Sequence, residues 1–564
     1  GQRLLKRIRD NDELGVVLLS RSYMSQDSGA NLGIAEKLAQ LGVVPVPLSF
    51  LPLESVNVYD YSDRPYWYYE AKHIAGAAVT EGDPSIYGLL LTNFGCGPNS
   101  FIIRIVEDVM AGKPLGELEI DEHAAEAGLV TRLEAYVDTI RAFARSRARG
   151  KGWDGNAYRS AEVALNSKKT ILIPRMAPGA EALAAAMNAF DVHAEVLPPS
   201  TEQSLFYSNQ VTRGTECLPY RVTLGDLLRF FHENGNDTVK KVEGFMPSAF
   251  GPCRFGKYVV EEKRILREMG YDLSIRTTIS NNAYRDMGLG PAFERLAWRG
   301  LVAFDYLQRL VWRTRPYEKT PGMTDALFEE FTSRVSHRMR TRQDLDDLLS
   351  EAVTVFEGAV DPDKPKRPLV AINGEIFLRS NEFSNCYLVR ECEKAGLEVI
   401  VSSVGEWIKY IQHRNIEDGM WDRDVKKVLS GVIRRHLLHA DEEKVAASFQ
   451  GLPHMGEPST KEVLSFSEKF LSSQCGSEAV LSIGSGVEWM ENPRFAGVIS
   501  VMPHGCMPGG IVAAMSEKLA SNYGKPWINL TYDGFMETTN LERINNFAEI
   551  IRFCSANGDS AAAR

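Results

Sequence analysis

Four cysteines carry the side chains best suited to chemistry in this chain: Cys96 in NFGCGP, Cys217 in TECLP, Cys253 in FGPCRFG and Cys506 in PHGCMPG. Each sits in a tight turn, Gly/Pro-rich in setting, where a predicted strand hands over to a helix. Three read Cys-x-Pro, which puts the sulfur near a first helical turn, where unpaired N–H groups and the helix dipole favour a thiolate. Such thiolates are good metal ligands. One cysteine in such a turn is equally well explained as a small residue at a crowded corner, but four in repeated settings point to ligation. Cysteine-rich ligation with few nearby histidines favours zinc or an iron–sulfur cluster over hard metals. Zinc is the weaker option, because the cysteines are dispersed rather than paired as Cys-x-x-Cys. Dispersed ligands at the ends of separate lobes suggest a cluster held in a cleft that also admits a substrate.

The other four, Cys386, Cys392, Cys475 and Cys554, lack the turn setting. Cys386, Cys392 and Cys554 fall in helical patterns and read as core packing.

The elements that must position the turn cysteines follow from hydrophobic patterning. Val16–Leu19 reads as a buried strand, followed by a Ser/Gly-rich loop, a helix over Leu32–Leu41 and a strand over Val43–Leu48, a β-α-β unit. The same grammar returns at Leu369–Ile372, GEIFLRSNEFSN, a helix to Ala395 and a strand over Leu397–Ser402. Gly42 and Gly396 each follow a helix as C-cap glycines do. Around Cys96 and Cys506 two longer segments share strand, Cys-x-Pro, helix, Gly-Lys-Pro, strand, acidic loop and a helix starting near Leu-Glu. Their offsets are 410, 412 and 408 residues at Cys96/Cys506, Lys113/Lys525 and Leu133/Leu541, which an internal duplication explains.

Between the copies lies a third α/β block with strands over Thr170–Ile173, Ala194–Leu197 and Val242–Met246 and helices over Ala180–Phe190, Leu224–Phe231 and Lys257–Met269. From about Asn282 to Val360 the pattern is helical, and DPDKPKRP after it is a turn-rich boundary. The expected fold class is therefore α/β, with several Rossmann-like parallel-sheet lobes and a helical insertion. The expected domains are residues 1–150, 151–281, 282–366 (helical) and 367–564. Ligands in open α/β sheets sit beyond the carboxyl ends of strands, where the cysteine turns fall.

Composition narrows the function. At 564 residues several domains are expected, and 44% hydrophobic with 24% charged residues is ordinary for globular chains. A net charge of −10 without a basic run argues against a general nucleic-acid surface. No apolar run reaches membrane-span length and the N-terminal stretch lacks a signal-peptide core, so the cytoplasm is the expected compartment.

Weaker motifs are Gly484-Ser-Gly486, which lacks the rest of any phosphate-binding fingerprint, the acidic stretch Ile120–His123, read as a solvated loop, and His504 before Cys506. Arg21 and Glu375 follow the first strands of the duplicated lobes, where structural ion pairing is slightly favoured. Arg254 and Lys257 flank Cys253 and either steady a thiolate-bound cluster or form a solvated helix start.

TECLPYRVTLGD, GFMPSAFGPCRFGKY, GEIFLRSNEFSN and PHGCMPGGIV resemble the iron–sulfur subunits of the 2-hydroxyacyl-CoA dehydratase and benzoyl-CoA reductase family, and most closely its large double-cubane cluster proteins related to acyl-CoA dehydratase activases. The resemblance covers nearly the whole chain. It implies units of two Rossmann-like lobes in which three cysteines hold a 4Fe-4S cubane. Carried over, Cys217, Cys253 and Cys506 are the ligands of one complete unit, and Cys96 matches the third ligand of another whose first lobe is absent from this sequence. That lobe is then expected from a longer polypeptide, of which this would be a C-terminal portion, or from a second chain. In the double-cubane relatives two cubanes share a bridging sulfide as an 8Fe-9S cluster. The implied activity is low-potential electron transfer to a small-molecule substrate, driven by a separate or fused ATP-hydrolysing activator with its own iron–sulfur cluster. The alternatives are a radical 2-hydroxyacyl-CoA dehydratase-like enzyme and a non-enzymatic iron–sulfur carrier or scaffold, with a zinc-stabilised structural protein behind them. A homo-oligomer is compatible with each.

Overall fold

The structure, a computed structural model, describes the chain except residues 94, 122, 124, 147–168, 250, 252, 278–287, 454, 536, 537, 563 and 564. Twelve strands form three four-stranded sheets among the described residues. The first contains β1 (Gly15–Leu19), β2 (Val44–Pro47), β3 (Ile86–Asn93) and β4 (Leu115–Ile120); the second β5 (Thr170–Ile173), β6 (Ala194–Val196), β7 (Val242–Phe245) and β8 (Ile275–Arg276); the third β9 (Leu369–Gly374), β10 (Glu398–Val401), β11 (Phe495–Pro503) and β12 (Trp527–Tyr532). All pairings are parallel. Each sheet has the same order, second strand, first, third, fourth. The expected α/β class with parallel-sheet lobes is thus the observed one.

Why these strands read as continuous apolar runs is visible in their packing. Along β1, Val17 and Leu19 join Ile8, Ile86 and Leu90 in one core layer, while Val16 and Leu18 join Leu89, Leu91 and Leu133 on the other face. Side chains alternate across a strand, so a sheet covered on both faces must be apolar at every position. In the third sheet Ile372, Val501 and Leu530 fill one face, and Ala371, Val498 and Trp527 the other.

The duplication extends to hydrogen bonds. Lys113 and Lys525, the lysines of the two Gly-Lys-Pro turns, donate from Nζ to carbonyls at the ends of the helices preceding β3 and β11. Lys113 bonds Thr80 O at 2.6 Å, and Lys525 bonds Asn492 O at 2.6 Å. Asn31 Nδ2 donates to Met24 O (2.8 Å) and Asn385 Nδ2 to Leu378 O (2.7 Å), the same seven-residue clasp after the first strand of each lobe. This polar clasp follows no hydrophobic period, and the sequence reading misses it.

The helical pattern before residue 360 forms helices Pro291–Thr314, Met323–Arg340 and Asp346–Ala359, and its first positions, 282–287, lie outside the described residues. Their apolar faces share a core with the Ala180–Ala189 helix. Alanines at 182, 184, 185 and 186 let that helix approach closely. Among the described residues no helix is long and apolar enough to cross a membrane. The chain divides into two compact units, Gly1–Ala164 with Phe250–Glu261, and Leu165–Ala249 with Glu262–Arg564.

Candidate functional site

All four turn cysteines sit at helix starts. Cys217 is the N-cap of helix Leu218–Asn234, Cys506 that of Met507–Tyr523, and Cys253 that of a 3-10 turn, Arg254–Lys257, leading into Tyr258–Glu268. Cys96 precedes helix Asn99–Val109, and its carbonyl accepts from Ser100 N at 3.2 Å. Proline in the first turn supplies a pre-set φ and removes an N–H that a helix start leaves unpaired anyway, which is why Cys-x-Pro marks these positions.

Cys96, Cys253 and Cys506 follow β3, β7 and β11, the third strand of each sheet in chain order. In the shared strand order this strand lies beside the first, where the chain changes direction across the sheet, the place ligands favour in open α/β folds. Cys217 departs from the expected setting. The element before it is the helix Glu202–Asn209, not a strand.

In the first unit, Arg21, just past the end of β1, donates from Nη2 to Cys96 Sγ at 3.3 Å. Arg21 is thus a sulfur donor rather than only an ion-pair member. Below it His73 is buried, and burial pushes it down to about 4, with the Arg21 charge adding to the shift. At neutral pH its ring is uncharged. The residue at Arg21's position in the third sheet is Glu375, whose carboxylate instead accepts from Phe377 N (3.1 Å) and Leu378 N (2.9 Å). Burial raises the Glu375 carboxyl, and the neighbouring Glu478 carboxyl is raised by burial and then by Glu375.

The Cys253 turn belongs to the same unit as Cys96. Arg254 donates to Ser100 Oγ at 3.3 Å, its side chain lies against Gly97, Tyr258 stacks on Phe101, and Trp67 Nε1 donates to Gly251 O at 2.8 Å. Lys257 is buried and bonds the Glu70 carboxylate and Arg64 O. Arg254 and Lys257 are therefore not a solvated helix start. Tyr66 is raised by burial and then by the charges of Cys253 and Glu70.

In the second unit Arg221, one turn beyond Cys217, is buried and held by Asn209 Oδ1 (2.7 Å) and Asp533 O (2.9 Å). Burial lowers its pKa, and the charges of Glu216, Asp533 and Cys217 oppose that shift. The half-buried Arg21 donates to the Cys96 sulfur and the buried Arg221 places its charge near Cys217, and such neighbours offset thiolate charge where sulfur holds a metal group. At Cys96 and Cys217 these neighbours suit a thiolate-held group. Among the described residues, no three His, Cys, Asp or Glu side chains form a group that could hold a metal ion.

The remaining sequence candidates resolve differently. Cys392 is buried core and Cys386 packs beside it in a left-handed turn with φ 53, not in a helix, while Cys475 and Cys554 are exposed. Gly484 and Gly486 lie inside helix Ser477–Glu491 against Val463 and Trp527, where they serve close packing. His504 is exposed and its backbone N–H bonds Tyr532 O (2.9 Å). Asp121 accepts from His123 N at 2.9 Å in a loop whose residue 122 lies outside the described residues.

Fold and cysteines together define a class: an α/β protein of three like-ordered parallel sheets, each followed at its third strand by a cysteine at a helix start. No model of a known protein family matches the chain, and no curated protein matches it.

Proposed function

We propose that the chain is the iron–sulfur component of an ATP-driven, low-potential reductase, with Cys96, Cys217, Cys253 and Cys506 as cluster ligands. The observation that carries this reading is the recurrence of a cysteine helix start after the third strand of every sheet. Cys96 with its Arg21 donor and Cys217 beside Arg221 add the polar surroundings that thiolate-ligated clusters use to set their potential. When bound, the cluster supplies one-electron chemistry. Coupling to an ATP-hydrolysing activator rests on the family resemblance of the cysteine segments alone.

Anaerobic purification with iron and sulfide analysis tests the reading. The expected result is bound iron and acid-labile sulfide in comparable amounts, with most of the iron lost in Cys253→Ser and none lost in Cys475→Ser, an exposed cysteine outside the turns. Reduced protein with intact thiols but no iron would sink the proposal, and zinc in its place would make the site structural.

Arg21→Met is a second test. Losing a donor to a ligand sulfur should speed iron removal by a chelator about 10-fold or more. Unchanged kinetics would leave Arg21 without a part in the site. Tight binding of acyl-CoA thioesters would move the reading to a dehydratase, and cluster transfer without turnover to a carrier.

A further inference from the structure

Helix Val425–Ala447 pairs with helix Val404–Trp421 and packs inward through Leu438, Asp441 and Val445. Trp298 Nε1 donates to Leu438 O at 2.8 Å, and Arg295 bonds Asp441 at 2.6 Å, which fixes that face. On the opposite face Val425, Leu429, Val432, Ile433 and Leu437 form a stripe at helical spacing, and Trp421 extends it at the hairpin tip. Trp421 and Val425 are each 78% exposed, Leu429 59% and Ile433 52%. Of the 21 exposed large apolar side chains among the described residues, seven fall between positions 420 and 437, so the stripe is a concentration rather than a scatter.

Its size argues for a partner. With about 150–250 Å² for the one aromatic side chain, Trp421, and less for the five aliphatic ones, the six leave on the order of 500 Å² of surface open. That lies in the upper part of the about 300–600 Å² range of the largest patch on an ordinary monomer, a patch that is often functional. One side of a standard interface buries about 800 Å², a little over half of it apolar, so the stripe alone covers the apolar share.

Its spacing argues for which partner. Val425 and Leu437 lie six residues either side of Gly431, and Leu429 and Ile433 two residues either side. An antiparallel two-fold at the level of Gly431, which itself packs on Ile416 of the hairpin's other helix, therefore sets Val425 of one copy on Leu437 of the other and Leu429 on Ile433, with Val432 opposite Ser430. Four of the five stripe residues on this helix thus pair with one another across the two-fold, as an isologous contact needs. The bordering charges are of both signs, Asp422, Asp424 and Glu443 with Lys426 and Arg435, while Lys427 is paired with Asp422 at 3.2 Å, Arg434 with Glu294 and Lys444 with Asp344 and Asp346. That mixture lacks the basic band by which an amphipathic helix binds anionic lipid.

We infer that two copies of this chain associate through the Val425–Leu437 stripe, their helical hairpins forming an antiparallel four-helix bundle. The inference is independent of any cofactor.

Sedimentation velocity of the full chain at micromolar concentration is expected to show a dimer. Leu429→Glu with Ile433→Glu should weaken it by about 100-fold or more, since charge enters the centre of the contact. The circular dichroism should not change, because both residues are exposed. To fix the orientation, Val425→Cys protein mixed with Leu437→Cys protein should cross-link on oxidation far better than either alone, with wild type as background. A monomeric wild type, or a dimer that survives the double glutamate variant, would overturn the inference. So would a monomer that pellets with phosphatidylserine vesicles, which would assign the stripe to a membrane.

Discussion

Lys257→Met is expected to destabilise the first unit by about 3–5 kcal/mol, the largest effect of any single substitution near the cysteine turns. Lys257 is 2% exposed and Glu70 is completely buried, and their charges meet directly. Burial pushes Glu70 up and Lys257 down, each toward its neutral form, while the charge of each opposes the shift of the other. Lys257 Nζ also bonds Arg64 O and lies 4.7 Å from the Tyr66 ring and 5.3 Å from that of Trp67. A well-packed methionine would fill most of the space but leave a buried carboxylate without its counter-charge, and that uncompensated group causes the loss. Glu70→Gln combined with Lys257→Met should therefore recover most of it, which separates charge from packing. Hydrogen exchange adds a local readout. Because Lys257 sits four residues from Cys253 and ties its turn to helix Tyr68–Gly82, protection over residues 253–261 should fall in Lys257→Met more than elsewhere. A variant as stable as wild type, with that segment unchanged, would show that the pair does not hold the turn.

Much of this arrangement is readable in the sequence, for reasons that also mark where reading stops. The strands announce themselves because sheets covered on both faces require uninterrupted apolar runs, and GVVLL in β1 is buried at every position. Cys-x-Pro announces helix starts because proline tolerates only the first turn. The Gly-Lys-Pro repeat is legible as spacing, although its role, a lysine tying helix-end carbonyls, appears only in three dimensions. Cys217 misleads because its Leu-Pro context is the same as after a strand, while the preceding helix Glu202–Asn209 is short and has little amphipathic pattern. Contacts between distant residues carry no periodic trace. Arg21 meets Cys96 across 75 positions and Lys257 meets Glu70 across 187. Lys257 reads either as a charge beside a thiolate-bound cluster or as a solvated helix start, and its burial against Glu70 removes the second.

Glu262→Gln should make the second unit more stable at alkaline pH and leave it nearly unchanged at pH near the ordinary carboxyl range. Glu262 is 2% exposed, and burial pushes its carboxyl up to about 8, partly offset by a hydrogen bond with Thr223. The unfolded chain releases this proton near the ordinary glutamate value, whereas the folded protein keeps it to about 8. Between those values the folded state binds more protons than the unfolded one, so stability falls as pH rises. The contribution is fully present below the unfolded value and is lost as pH passes through about 8. Asp305, raised by burial to about 7 with the charge of Glu457 adding, acts in the same direction and completes its loss about one unit earlier. Glutamine keeps the neutral shape and cannot ionise, so the gain above pH 8 should be on the order of 5 kcal/mol for the transition of this unit. Denaturant midpoints of wild type and Glu262→Gln, followed from pH 5 to pH 9, should therefore diverge steadily, with the variant's profile the flatter. Parallel profiles would mean that Glu262 is ionised inside the fold and is stabilised there by groups other than Thr223. A variant less stable at every pH would mean that the carboxyl's own hydrogen bonding, rather than its charge, is what the helix interface requires.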